Sequence, residues 1–251
     1  VINLGAGADK LQLATGTNDL TVSNVETIVG VGGKDTITLA TTMSGGLVNL
    51  ASGVDQLVLA DGTNSLKTIA VETITGGTGA DTVTLGSAAA NASINLGAGT
   101  DTLILHNATN SLTVTNVETL TGNNGADTVS LGAAASGMVI NLAGGTDKLY
   151  LANGGNTLTV SNTETITGGA DADVITLNAT LLGGVINLAA GSDTLNLATG
   201  ANKITVSNDE TINGNTCNDR ITFGAAVTGA VVDLGLGTDT LKLYNGTNSL
   251  T

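Results

Sequence analysis

The chain has 251 residues, with 36 Gly, no Pro, no Trp, one Phe and two Tyr, which excludes an interior packed by aromatic rings. Hydrophobic residues make up 41% and no polar low-complexity tract is present, which excludes a disordered chain. Twenty-one acidic against seven basic residues give a net charge of −14, which argues against nucleic acid or an anionic membrane as partner and favours cations.

From the N-terminus, "VINLGAGADKLQL" at residue 1 returns as "LVNLASGVDQLVL" at 47, "SINLGAGTDTLIL" at 93, "VINLAGGTDKLYL" at 139, "VINLAAGSDTLNL" at 185 and "VVDLGLGTDTLKL" at 231. The period is 46 residues. The chain is thus a single repeat array over 1–251, with repeats 1–46, 47–92, 93–138, 139–184 and 185–230 and a partial copy at 231–251. Each copy contains two related halves. Residues 93–116 read strand, "LGAGTD", strand, "HNATN", strand; residues 117–138 read strand, "TGNNGAD", strand, "GAAASG". The runs "VINL", "TLIL", "LTVT" and "TVTL" alternate at period two, are rich in β-branched residues and are bounded by Gly, Asn or Asp. No stretch carries a sustained helical period. The expected fold is all-β: a parallel β-solenoid of stacked ~23-residue coils, in which no coil buries its own apolar face without its neighbours. In that register Val129 and Leu131 lie over Leu103 and Leu105.

Both halves close a glycine turn with an aspartate: Asp9, Asp35, Asp55, Asp81, Asp101, Asp127, Asp147, Asp173, Asp193, Asp219 and Asp239. Stacked half on half, these carboxylates form one column at about 5 Å spacing, where like charges raise one another's pKa. Two arrangements relieve this. The carboxylates can accept backbone N–H bonds at the turns, or a divalent ion can sit between rungs. Calcium suits the second, because only oxygen ligands are on offer and glycine-rich backbone can turn its carbonyls inward; no His or Cys cluster supports zinc. Ten filled gaps would add +20 to a chain of −14, so partial occupancy is expected, with the degenerate turns at Asp55 and Asp219 left empty.

The stretch "GGTGADTVT" at 76–84 fits G-G-x-G-x-D followed by x-aliphatic-x, and "VETITGG" leads into it. The chain here resembles the haemolysin-type calcium-binding (RTX) repeats of secreted bacterial proteins. Gly76, Gly77, Gly79 and Asp81 match in full. Gly122, Gly125 and Asp127 are kept in "GNNGADTVS", and Gly30, Gly33 and Asp35 in "GVGGKDTIT". In "GGADADVIT" Asp171 stands where the third glycine belongs, and "GNTCNDRIT" keeps only Gly214 and Asp219. First halves lose the leading glycine, as in "LGAGTDTLI" with Gly97, Gly99 and Asp101. The motif aspartates recur at 26 and 20 residues in turn, wider than the family's nine-residue step, so the array is a wide-coil variant. The resemblance implies Ca2+ held by these aspartates and turn carbonyls, secretion, and an extracellular or cell-surface place in a bacterial layer, filament, matrix or long adhesin.

Glu26, Glu72, Glu118, Glu164 and Glu210 recur once per copy, always before Thr. A buried Glu column is costly, so each is expected at a bend where it satisfies backbone N–H groups; a second calcium site is the alternative. Asn18, Asn64, Asn110, Asn156, Asn202 and Asn248 end a loop in each copy and are expected to form an Asn ladder. His106 reads as a surface residue and Cys217 as drift within a degenerate turn. No apolar run reaches a membrane-spanning length, and residue 1 already lies inside the repeat, so the expectation is a mature, trimmed or internal segment. The repeated acids offer no unique constellation for catalysis, so no enzymatic role is expected. The sequence reading is a calcium-stabilised structural solenoid that associates with itself, head to tail or laterally, through uncapped ends. The alternatives are a spacer or polysaccharide-binding module, which lacks aromatic platforms, and an ice-binding solenoid, whose Thr rows are broken by Lys10, Lys148 and Arg220.

Overall fold

The computed structural model describes residues 1–251. It contains 28 short strands and no helix, and the chain is an all-β parallel β-solenoid. It divides into two compact units, Val1–Gly125 and Ala126–Thr251, with fourteen strands in each.

In the first unit the strands alternate between two sheets. The first sheet is built from Ile2–Asn3, Asp19–Ser23, Thr36–Leu39, Gln56–Val58, Thr73–Thr75, Ala90–Asn95 and Ser111–Thr115. The second takes Lys10–Gln12, Thr27–Val29, Ser44–Asn49, Ser65–Ile69, Thr82–Leu85, Thr102–Ile104 and Thr119–Thr121. A coil is therefore two strands and two corners. Ladder partners are parallel and lie 17 residues apart, as Lys10 with Thr27 and Thr102 with Thr119. Otherwise they lie 20 apart, as Thr27 with Leu47 and Thr82 with Thr102, or 21 apart where a bulge begins, as Ser44 with Ser65.

This register corrects the expected ~23-residue coil. Each 46-residue repeat holds five strands, and five strands shared between two sheets make two and a half coils rather than two. Leu103 accordingly stacks between Val83 and Leu120, not on a residue 26 positions away. Equivalent strands of successive repeats also change sheet: Lys10–Gln12 lies in the second sheet, Gln56–Val58 in the first and Thr102–Ile104 in the second again.

Alternation puts one or two aliphatic residues per strand inward. Ile28, Val48, Val83, Leu103 and Leu120 from one sheet, and Ile37, Leu57, Ile74 and Ile94 from the other, are buried almost completely. Each such side chain contributes about 1.5–3 kcal/mol relative to exposure. The outward Thr, Ser and Lys positions stay half-buried or exposed.

The sequence reading did not anticipate a bulge that recurs once per repeat. The ladder skips one residue between Ser44 and Gly46 and between Ala90 and Ala92. The skipped residues, Gly45 and Asn91, have φ of 68° and 58°, a left-handed conformation that Gly and Asn tolerate best.

The second unit repeats the plan. One sheet runs from Thr128–Leu131 to Thr240–Lys242 and the other from Ser136–Asn141 to Ser249–Leu250, seven strands each. Its bulges skip Gly137, Gly183 and Gly229.

Candidate functional site

The residue just before each strand stands at a corner, and those corner residues carry the polar chemistry of the molecule. In the first unit the corner leading into the second sheet holds Asp9, Glu26, Met43, Asn64, Asp81, Asp101 and Glu118. The corner leading into the first sheet holds Asn18, Asp35, Asp55, Glu72, Ala89 and Asn110. The rungs thus cycle Asn, Asp, Asp, Glu and one apolar residue. In the second unit Asp127, Asp147, Glu164, Leu181, Asn202, Asp219 and Asp239 form one column, and Ala135, Asn156, Asp173, Asp193, Glu210, Val227 and Asn248 the other. The expected single column of eleven aspartates is corrected to two columns per unit. Apart from Asp9, the aspartates stand in pairs, and every pair but Asp219 and Asp239 is followed by a glutamate, because Glu26 and its equivalents occupy a full rung of their own.

Hydrogen bonds run along each column from one rung's backbone to the next rung's side chain. Met43 N–H donates to Asn64 Oδ1 (3.0 Å). Asn64 donates both its N–H (2.9 Å) and its Nδ2 (2.8 Å) to Asp81 Oδ1. Asp81 N–H donates to Asp101 Oδ1 (2.7 Å), and Asp101 N–H to Glu118 Oε2 (2.7 Å). The same relay joins Asn18, Asp35, Asp55 and Glu72, and Asn156, Asp173, Asp193 and Glu210. Asp9 N–H donates to Glu26 Oε2, Asp127 N–H to Asp147 Oδ1, Asp147 N–H to Glu164 Oε2, and Asp219 N–H to Asp239 Oδ1. The asparagines also fold their own loops: Asn64 Nδ2 reaches the carbonyls of Ala60 and Gly62. His106 contributes only its carbonyl to the matching loop of Asn110.

A longer Glu side chain can do the same work as Asp because it is half-buried and reaches in from the corner. The aspartates are enclosed: Asp35, Asp101, Asp147, Asp173 and Asp193 have no exposed surface. In four pairs burial outweighs the stabilising backbone hydrogen bond, and the second aspartate is pushed up. Asp55 and Asp101 are raised, and Asp147 and Asp193 are each raised to about 6. The neighbouring carboxylates add to the rise.

The motif glycines serve the stacking. A Cβ on Gly76 would run into the Leu96 carbonyl, and one on Gly79 would meet the backbone of Gly62 at 2.7 Å. Gly77, Gly97, Gly99 and Gly125 are hemmed in by neighbouring rungs in the same way. Gly122 is buried directly after the strand Thr119–Thr121. Asp171 is exposed, and its Oδ2 accepts the N–H of Gly154 at 3.0 Å.

Calcium requires six to eight oxygen ligands. Here Oδ1 of Asp35, Asp55, Asp81, Asp101, Asp147, Asp173, Asp193, Asp219 and Asp239 already accepts an amide, and turn carbonyls are hydrogen-bonded between rungs. Gly77 O accepts Ala98 N–H (2.9 Å), Ala98 O accepts Gly79 N–H (2.7 Å) and Ser52 O accepts Gly33 N–H (2.9 Å). No group of three or more His, Cys, Asp or Glu side chains is placed to hold a metal ion. A second set of oxygens is unused: Oδ2 of Asp35, Asp55, Asp81, Asp101, Asp147 and Asp193 is buried without a hydrogen-bond partner. In two of the degenerate turns that oxygen is engaged, Asp173 Oδ2 by Gly169 N–H (3.4 Å) and Asp219 Oδ2 by Asn215 Nδ2 (3.0 Å), whereas in the turn of Asp55 it is not.

No family model, curated protein or solved structure matches the sequence.

Proposed function

We propose that the protein is a structural module, a self-associating β-solenoid of an extracellular bacterial layer, filament, matrix or adhesin. One observation carries this reading. The repeated acids engage the amides of the adjacent rung, so the acidic character of the chain goes into holding coil to coil. The resemblance of "GGTGADTVT" to secreted calcium-binding repeats supports the extracellular setting. The outward strand faces carry Thr, Ser and Lys, as a surface in water requires.

Calcium bound along the columns is the second part of the proposal, favoured by the partnerless Oδ2 atoms of the aspartate pairs. Bound to the native state alone, it would raise the melting temperature by mass action.

Two variants separate the amide-capping role from the metal. Asp81 and Asp219 accept the same pair of bonds, from Asn64 and Asn202. They differ in Oδ2, which is partnerless in Asp81 and bonded in Asp219. If capping alone operates, Asp81→Ala lowers the melting temperature no more than Asp219→Ala, which also loses the Asn215 bond, with or without EGTA. If calcium binds, Asp81→Ala costs more, and only when calcium is present. A native chain that melts at the same temperature in millimolar calcium and in EGTA removes calcium from the proposal. Light scattering of the native chain tests self-association; a strictly monomeric species at high concentration overturns it.

A further inference from the structure

The residue before each repeated glutamate is Val25, Val71, Val117, Thr163 and then Asp209. The first three are buried and apolar, and Thr163 turns its hydroxyl onto the Ser161 carbonyl at 3.2 Å. Asp209 occupies the same buried place at 2% exposure, and neither of its carboxylate oxygens has a hydrogen-bond partner. A carboxylic acid in that position is expensive to bury without a partner, so the departure from valine calls for a physical reason.

The surroundings differ as well. In the second repeat the equivalent crevice, beside Val71 and Glu72, encloses only about 20 Å³; in the fourth, beside Thr163, it is closed. In the fifth repeat a cavity of about 50 Å³ is lined by Asn208, Asp209, Glu210, Val227 and Thr228. That volume admits water or a small ion. Asn208 and Thr228 are exposed, which gives the cavity an entrance. Glu210 is half-buried and holds the amide of Asp193 through Oε2 at 2.9 Å. The Asp193 carboxylate adds negative potential, and burial pushes the Asp209 carboxyl up to about 8.

We propose that this cavity is a single divalent-cation site, unique to the fifth repeat, in which Asp209 and Glu210 supply carboxylate oxygens and waters complete the shell. It adjoins the Asp193 rung through Glu210, and the buried Asp209 sets it apart from the sites proposed along the columns. The ligand set is all oxygen, which selects calcium or magnesium over softer metals.

The test is isothermal titration of the full chain with calcium chloride at pH 7, alongside Asp209→Val and Asp209→Thr. Both variants install a residue that another repeat carries at this place, so the fold is kept. The native chain is expected to bind one more equivalent of calcium than either variant. Its melting temperature should rise further with calcium than theirs. Any column sites are common to all three chains and cancel in the comparison. Equal stoichiometry in the three chains overturns the proposal, as does a variant that melts higher than the native chain while the calcium response is unchanged. Either result would make Asp209 a buried neutral acid and no more.

Discussion

Removing one acceptor from a column should be felt at the rung before it. Asp101 Oδ1 accepts the Asp81 amide at 2.7 Å, and both residues are fully enclosed. Asp101→Ala leaves that N–H buried without a partner, at a cost of about 1–3 kcal/mol. Relief of the repulsion that Asp81 and Glu118 exert on the Asp101 carboxylate offsets part of this. For a chain of this size each kcal/mol shifts the melting point by about 2–4 °C, so a loss of about 2–12 °C is expected. Asp101→Asn keeps the accepting oxygen and removes the charge, and should stay within about 1 kcal/mol of the native chain. The assay is thermal unfolding followed by far-UV circular dichroism in EGTA, with hydrogen exchange read at the Asp81 amide, which should lose protection in the alanine variant only. If the Asn variant falls as far as the Ala variant, or the Asp81 amide stays protected in both, the carboxylate is not acting as an amide acceptor and the reasoning fails.

Three further outcomes follow from the same geometry. Asp147 and Asp193 are raised from an ordinary 3.8 to about 6, so the folded chain holds more protons than the unfolded one between those values. Stability is then fully present below about pH 4 and declines as pH rises through 6. Melting temperatures measured from pH 4 to 7 should fall, and Asp147→Asn with Asp193→Asn should flatten the fall; a rise over that range would contradict the assignment. Gly76→Ala sets a Cβ against the Leu96 carbonyl and should destabilise by about 1–3 kcal/mol, checked by denaturant unfolding; a neutral effect would mean that the turns can separate. Glu118→Gln should melt like the native chain, because it keeps an oxygen for the Asp101 amide, whereas Glu118→Ala should lose about 1–3 kcal/mol; indistinguishable Gln and Ala variants would remove the glutamate from the relay.

The strands were legible in the sequence because alternation at period two needs only local information. "TVTL" at 82–85 and "TITL" at 36–39 declare one inward and one outward face wherever they sit. The eleven aspartates were legible as repeated turn residues for the same reason. The register was not, because an inward Leu103 is satisfied by any aliphatic residue above and below it, whether 17, 20 or 26 positions away. Glu26 and Asp9 differ in length and local phrase, "VET" against "GAD", and only their shared hydrogen bond shows them to be consecutive rungs. The bulges at Gly45 and Asn91 were hidden because glycine and asparagine also mark ordinary turns. Asp209 was visible as a letter, but its meaning required knowing that Val25, Val71 and Val117 are buried there.

Two and a half coils per repeat also sets how ornament is distributed. A residue fixed at one place in the 46-residue phrase faces one way in one copy and the opposite way in the next, as leaves alternate along a stem. Lys10 and Gln56 illustrate this on opposite sheets of the first unit. Duplicating a single copy would therefore never thicken one face; it would turn every later feature through half a revolution. Two copies are the smallest length that returns to its starting orientation, so a binding stripe along one side could be assembled only from every second phrase. Selection acting on one face alone would have to treat odd and even copies differently, and a lone departure such as Asp209 decorates a single side.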